Sequence, residues 1–527
     1  MRLQFLGATK MVTGSFFFLL GTRDLRFAVD CGLFQGTREI REKNYKEFVV
    51  NPQSIDFLLL THAHIDHIGL VPKLCKHGFT GPIYCSHATK ELASVMLPDS
   101  GSIQEAEVER KNRKLKRAGR MLIDPIYTEQ EALNCLSQFQ SLNMDEIIAL
   151  APGVEVRLRD AGHILGSCII ELWVKEDNNK IKLVFSGDLG QNNQPIVKDP
   201  SVIESADYLI MESTYGNRNR EQTSSRDEQL KQVIDEAMRK GGNLIIPSFA
   251  VERTQDLLYD LSILYNEGKL DPKIDIYIDS PLAIAATEIF HRHVECYDHK
   301  TRQLMEYCEH PLKLPNLHFS RTREESMKLN NIRGNTIIIS ASGMCDAGRI
   351  KHHLKHNLWR TESTVLFVGY QAVGTLGRRI LDGEKLVTIH GEKIEVKANI
   401  RTIEAYSAHA DRAGLVKWVE NFVYPPKGIF LVHGEEQAQI SLAETLESDL
   451  KIPVYIPDWL DEFELKPTEK AIPETRPVNE DLEQAMLAEQ MYLEMRLKLH
   501  KMFKENWDGK DYRRIIENLK RINACID

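Results

Sequence analysis

A chain of 527 residues is too long for a single hydrophobic core and predicts two or three domains. With 42% hydrophobic and 27% charged residues it has the balance of a soluble globular protein, and no apolar run approaches the roughly 18 residues a membrane span requires. A net charge of -9 excludes a globally basic nucleic-acid binder but not a local basic groove, and nine cysteines without a CxxC pair point to reduced thiols in the cytosol rather than a disulfide framework.

The first 215 residues are rich in short strands separated by turn residues: Leu3–Gly7, Ser15–Leu20, Leu25–Val29, Phe57–Thr61, Pro82–Cys85, Val154–Arg159, Ser167–Val174, Lys182–Ser186 and Tyr208–Met211. The apolar stretch Phe16–Leu20 reads as part of a strand pair and not a signal peptide, because Gly7, Lys10 and Gly14 interrupt its approach and no small-residue cleavage site follows. Strand Phe57–Thr61 leads into His62-Ala63-His64-Ile65-Asp66-His67 and then an apolar helix, Ile68–Leu74. Three imidazoles and a carboxylate in six residues form a ligand cluster for two metals. Residues two apart in extended chain point the same way, so His62 and His64 can share one ion, and the tightening turn swings Asp66 and His67 toward a second about 3.5 to 4 Å away. Further on, Arg110, Lys111, Arg113, Lys114, Lys116, Arg117 and Arg120 form a basic run, a solvated helix face able to attract RNA electrostatically.

Three later segments end strands with metal-binding residue types: Asp160-Ala161-Gly162-His163, Phe185-Ser186-Gly187-Asp188 and Leu431-Val432-His433-Gly434. Added to the histidine cluster, they complete a site for two cations sharing one carboxylate, a donor set that suits zinc, with manganese as the alternative.

From Arg226 to about Ile403 helices and strands alternate (helix Arg226–Arg239, strand Asn243–Pro247, helix Thr254–Tyr265, strands Ile274–Ile278, Asn335–Ser340 and Thr364–Gly369), which predicts parallel strands in a doubly wound layer. Two glycine-bearing turns there, Ser340–Met344 and Gly374–Arg378, are candidates to hold phosphates through backbone N–H groups, tight-turn packing being the competing account. Phe249, Tyr370 and Tyr406 are candidates for base stacking against core packing. The chain then returns to strand, helix, strand (Ile400–Ala405, Asp411–Phe422, Gly428–Val432) and a helix near Gln437–Ser448, so the middle segment reads as an insertion into the first domain. Lys466–Val478 reads as a linker; Leu482, Met486, Leu493, Leu497 and Phe503 recur at helical spacing, followed by a short helix Tyr512–Ile522. A helical hairpin on its own subunit is expected, with a homodimer contact or a partner-docking helix as alternatives.

In its motif order, the set Asp30, His62, His64, Asp66, His67, His163 and Asp188 resembles the metallo-β-lactamase superfamily. Met211–Gly216, Tyr406–Asp411 and His433 resemble the three added motifs of its β-CASP subfamily, which holds bacterial and archaeal ribonucleases, the endonuclease of pre-mRNA 3′-end processing and DNA-repair nucleases. The resemblance covers roughly residues 1 to 465. It implies an α/β protein: an αββα metallo-β-lactamase sandwich (1–215 and 404–465) with an inserted doubly wound β-CASP domain (216–403), to which the sequence adds a linker and helical extension (466–527). It implies that His62, His64 and His163 bind one zinc, that Asp66, His67 and His433 bind the other, and that Asp188 bridges them. Asp30 would orient a ligand histidine, and Asp411 is a candidate orienter beside His409. DNA-cleaving members usually carry valine where this chain has His433, so RNA is the expected substrate, and the chain is similar to the compact bacterial type without added N-terminal RNA-binding modules.

The chemistry expected is attack on phosphorus by a metal-activated water, with Asp66 counted in the catalytic set. His409 protonates the leaving 3′ oxygen, and Glu212 holds its ring. Ser407, Ser342 and Arg378 are expected substrate contacts. The products would carry 3′-hydroxyl and 5′-phosphate ends, in RNA processing or decay. The alternatives are a 5′-to-3′ exonuclease, a DNA nuclease, a lactam or thioester hydrolase, and an inactive scaffold that only binds RNA.

Overall fold

The computed structural model describes residues 1–21, 25–176, 179–219, 225–307, 310–369, 371, 374–466, 513–514 and 520. Met1–Pro467 form one compact unit and Thr468–Asp527 a second. In the second, Arg513, Arg514 and Lys520 are helical, and the rest of the expected linker and tail helices lies outside the described residues.

In the first unit, alternation of apolar residues builds two seven-stranded sheets with a shared interior. One has the order Glu462–Glu464, Arg2–Phe5, Phe17–Leu20, Arg26–Val29, Phe57–Leu59, Ile83–Ser86, Phe139–Leu142; the other Val454–Tyr455, Gly428–Val432, Tyr208–Glu212, Asn179–Phe185, Cys168–Glu176, Val154–Asp160, Ile148–Ala151. Leu3, Phe5, Phe17, Leu19, Phe27 and Val29 of the first sheet share one buried cluster with Ile170, Leu172, Phe185 and Phe430 of the second. The alternate residues point outward: Leu58, Leu60 and Ile83 pack with Ile68, Leu74 and Leu92 on one side, and Leu209, Met211, Ile429 and Leu431 with Leu415, Trp418 and Leu442 on the other. Two sheets with helices on both outer faces make the metallo-β-lactamase sandwich.

The middle of the chain forms a six-stranded sheet, in the order Leu317–Phe319, Asp275–Ile278, Thr336–Ser340, Asn243–Pro247, Thr364–Phe367, Asn399–Thr402, with every pairing parallel. Among the described residues no helix is long and apolar enough to cross a membrane.

Several elements differ from the sequence reading. The apolar helix expected at Ile68–Leu74 is two short helices, Ile65–Ile68 and Val71–Lys76, so Asp66 and His67 sit on a short helix rather than in a turn ahead of it. Gly69 caps the first helix, where a Cβ would lie 2.3 Å from the Ile65 carbonyl oxygen and 2.7 Å from Leu33, and Pro72 at the start of the second has no N–H to continue the ladder to Ile68. The basic run ends a 31-residue helix, His87–Arg117, whose Pro98 and polar composition conceal it in sequence. The strands Phe139–Leu142 and Ile148–Ala151, the hairpin Leu386–Ile389 with Glu392–Glu395, and the edge strands Val454–Tyr455 and Glu462–Glu464 are short and partly exposed, which weakens their alternation. Glu462–Glu464 returns to pair with Arg2–Phe5, closing the first sheet with nearly the last described residues of the unit.

Candidate metal centre

The site collects where parallel strands of both sheets end. Arg26–Val29 and Phe57–Leu59 run parallel and deliver Asp30 and His62; Asn179–Phe185, Tyr208–Glu212 and Gly428–Val432 run parallel in the other sheet and deliver Asp188, Glu212 and His433. Strand C-terminal ends expose backbone that must turn, which leaves side chains free to converge there.

His62, His64, His163 and Asp188 form one donor group, and Asp66, His67 and His433 form another. His64 Nδ1 lies 3.1 Å from His62 Nε2 and 3.2 Å from His163 Nε2, while Asp188 Oδ2 is 3.5 Å from His62 Nε2 and from His163 Nε2. Three imidazole nitrogens facing one another cannot all be satisfied by hydrogen bonds. They fit a cation: a tetrahedron with bonds of about 2.0–2.1 Å has edges of about 3.3 Å. In the second group His67 Nε2 is 3.3 Å from Asp188 Oδ1, and His433 Nε2 is 3.3 Å from Asp66 Oδ2. Asp188 thus turns one oxygen to each group, and its buried Oδ1 accepts no hydrogen bond among the described residues.

The electrostatics of the two groups differ. Burial pushes His62, His64 and His163 down, His64 to about 4, so all three present the neutral ring that ligates a metal. Burial also acts to lower His67 and His433, but Asp188 and Asp30 lift the former well above the ordinary histidine range, and Asp188 and Asp66 lift the latter. Burial acts to raise Asp66 and Asp188, yet His433 and His67 outweigh it and hold both carboxyls down, Asp188 far down.

Asp30 is buried at a left-handed φ of 58° and takes the Thr61 N–H at 2.8 Å, the Thr61 hydroxyl at 2.9 Å and His67 Nδ1 at 2.8 Å. With Nδ1 committed to Asp30, His67 turns Nε2 toward Asp188. The sequence reading missed two hydroxyls: Thr61 Oγ1, 3.0 Å from His62 Nδ1, and Thr214 Oγ1, 3.2 Å from His433 Nδ1. Their only signal was adjacency, Thr61 immediately before His62 and Thr214 two residues after Glu212.

Beside this cluster stands His409. Its Nδ1 is 3.1 Å from both oxygens of buried Glu212, and its ring centroid is 4.5 Å from that of His163. Glu212 is itself held by the Leu189 N–H, which donates to Oε1 at 2.6 Å. His409 is placed by a backbone bridge to Gly190, flanked by Gln191 N–H to the Ala408 carbonyl at 3.1 Å and Ala410 N–H to the Leu189 carbonyl at 2.8 Å. Only glycine fits at 190, since a Cβ there would lie 1.7 Å from the Gly162 carbonyl oxygen.

The remaining candidates have other surroundings. Asp411 caps the helix Arg412–Glu420, accepting the Gly414 N–H at 2.9 Å. The Ser407 hydroxyl donates to Tyr215 Oη at 2.9 Å. In the insert, Ser342 Oγ accepts the Ala347 N–H at 3.4 Å, and Arg378 Nε donates to Asp382 at 2.9 Å. Tyr406 is wholly buried, which removes it as a base-stacking surface; Phe249 packs against Gly343 and Gly369, and Tyr370 lies outside the described residues.

Family models match three successive stretches: the metallo-beta-lactamase superfamily over residues 12–129, the Beta-Casp domain over 254–380, and the Zn-dependent metallo-hydrolase RNA specificity domain over 393–457. The chain is 33% identical over 447 residues to Ribonuclease TTHA0252 of Thermus thermophilus, covering 85% of this chain and 96% of that protein. It is 30% identical over 441 residues to an RNase J-like protein of Methanocaldococcus jannaschii (83% of this chain, 93% of that one) and 30% identical over 466 residues to Transcription termination factor FttA of Methanosarcina mazei (86% and 69%).

Proposed function

This chain belongs to the β-CASP family of metallo-β-lactamase-fold hydrolases, and from that premise we propose that it is a ribonuclease using two zinc ions to cut RNA internally, leaving 3′-hydroxyl and 5′-phosphate ends. The observation that carries the reading is His409, held by Glu212 next to a double donor cluster. A phosphodiester needs a nucleophile on one side of phosphorus and a proton on the other.

When bound, a pair of divalent cations supplies an activated water and offsets charge on the phosphate oxygens. His62, His64, His163 and Asp188 would hold one cation, and Asp66, His67, His433 and Asp188 the other. Asp30 keeps the His67 proton on Nδ1. Glu212 accepts from His409 Nδ1, which leaves Nε2 to carry a proton to the departing 3′ oxygen. The presence of His433 as a donor favours RNA over DNA. Zinc suits the imidazole and carboxylate donors, and metal analysis of protein purified without chelator decides between zinc and manganese. A cytoplasmic setting agrees with the seven free cysteines among the described residues.

Single-stranded RNA labelled at either end, incubated with and without chelator, tests the reading. Internal cuts that vanish with chelator are expected, and His409→Ala should lower kcat by about 10²- to 10⁴-fold while metal content stays unchanged. Release of mononucleotides from the 5′ end alone would replace the internal-cutting reading with an exonuclease, and equal cutting of matched DNA would remove the RNA preference.

A further inference from the structure

The helix Arg253–Asn266 of the insert is buried nearly all round, and its charged residues are as buried as its leucines. Glu252, Arg253, Asp256 and Asp260 are all at most 7% exposed. Asp256 and Asp260, four apart, share one face of the helix, and Glu252 precedes them at its N-terminal cap. Arg226 of the preceding helix, Arg226–Arg239, forks onto Asp260 (Nε to Oδ2 2.6 Å, Nη2 to Oδ1 2.9 Å) and reaches Asp256 at 3.3 Å; Arg253 also pairs with Asp256.

Two members of this row reach into the loops that build the metal centre. Glu252 Oε2 accepts the N–H of Leu165 at 3.0 Å, two residues beyond His163. Asp260 Oδ2 accepts the Tyr406 hydroxyl at 2.6 Å, three residues before His409, and the Arg226 guanidinium lies 4.6 Å from the Tyr406 ring centre. His409 is therefore fixed on one side by its backbone bridge to Gly190 and on the other through Tyr406.

Buried ion pairs gain little over apolar packing of the same volume. Glu252 also sits at φ 68° and ψ -59°, a backbone conformation strained for any residue with a side chain. An arrangement that gives up stability twice along one helix secures direction instead. We propose that Glu252 and Asp260 are positioning residues through which the insert aligns the two halves of the reaction centre: Glu252 sets the turn carrying His163, and Asp260, through Tyr406, sets the segment carrying His409. The inference rests on the reading of His163 as a metal ligand and His409 as the acid. The rings of those two residues are 4.5 Å apart, so a small shift of either loop changes their alignment. Burial and the neighbouring Asp256 push the Glu252 carboxyl up to about 8, so near neutral pH it is mostly the uncharged acid, and glutamine is a close mimic.

Substitutions that remove single groups separate positioning from packing. Tyr406→Phe deletes one hydroxyl and keeps the ring. On RNA its kcat should fall about tenfold or more with KM within about twofold of wild type, and on bis(4-nitrophenyl) phosphate, whose leaving group needs no proton, the loss should stay below about threefold. No loss on RNA, or equal losses on both substrates, overturns the Asp260 arm. Glu252→Ala should release metal to a chelator about tenfold faster than wild type, whereas Glu252→Gln, which keeps an acceptor for the Leu165 N–H, should stay within about twofold. Equal behaviour of those two variants, or wild-type retention by Glu252→Ala, overturns the Glu252 arm. Metal release involves no substrate. A wild-type chain that cut no RNA would therefore sink the ribonuclease reading, while the chelation result would still decide whether Glu252 positions the His163 turn.

Discussion

At the scale of single residues, the centre depends on carboxylates that decide which nitrogen of a histidine faces inward. Asp30 does this for His67 at 2.8 Å, and Glu212 for His409 at 3.1 Å. Asp30→Asn offers His67 Nδ1 a neutral partner in place of a carboxylate, and should weaken metal binding by about 10- to 100-fold, read by titration with a metal-sensitive dye. Glu212→Gln should leave metal content unchanged and lower kcat on RNA by about 10²-fold, separating the acid from the donors. The convergence of the run from His62 to His67 was legible because its residue types and spacing suggest a donor cluster. His163, Asp188 and His433 were weak signals singly and became readable only as a set. Thr61 and Thr214 were not legible, since a hydroxyl acquires meaning only from the ring it ends beside.

At the scale of elements, the helix Arg253–Asn266 shows the limit of pattern reading. Asp256 and Asp260 fall where an amphipathic helix would place its wet face, yet both are buried, because Arg226 and Tyr406 come from distant positions to meet them. Periodicity records polarity and cannot record a partner 30 or more residues away. The buried acid at its start has a pH signature. The Glu252 carboxyl is raised from 4.5 to about 8. The stability this proton confers is fully present below pH 4.5 and is lost as pH rises through 8. Urea unfolding of metal-free wild type and Glu252→Gln across pH 5 to 9 should show the difference moving in favour of the variant as pH rises. A constant difference would mean that Glu252 does not hold its proton.

At the scale of the whole molecule, both candidate donor groups and His409 belong to the unit Met1–Pro467. A chain ending at Pro467 should keep the metal content of the full chain. One ending at Asp461 loses the strand that pairs with Arg2–Phe5, the Arg2–Glu462 ion pair and buried Leu465, and should melt several degrees lower by calorimetry. The sandwich and the parallel insert were legible from strand-rich and alternating stretches. The closing edge strand was not, because three residues reading Glu-Phe-Glu look like a loop until the first strand of the chain lies beside them.

The division of the centre by the insert has a temporal consequence. Synthesis proceeds from the N-terminus, so His62, His64, His163 and Asp188 all leave the ribosome before the insert begins, whereas His409 and His433 follow it. A growing chain holds the residues of the first donor group early, but lacks His409 and His433 until the insert has been made. Under the ribonuclease reading, a nascent copy lacks its proposed acid, His409, until that point.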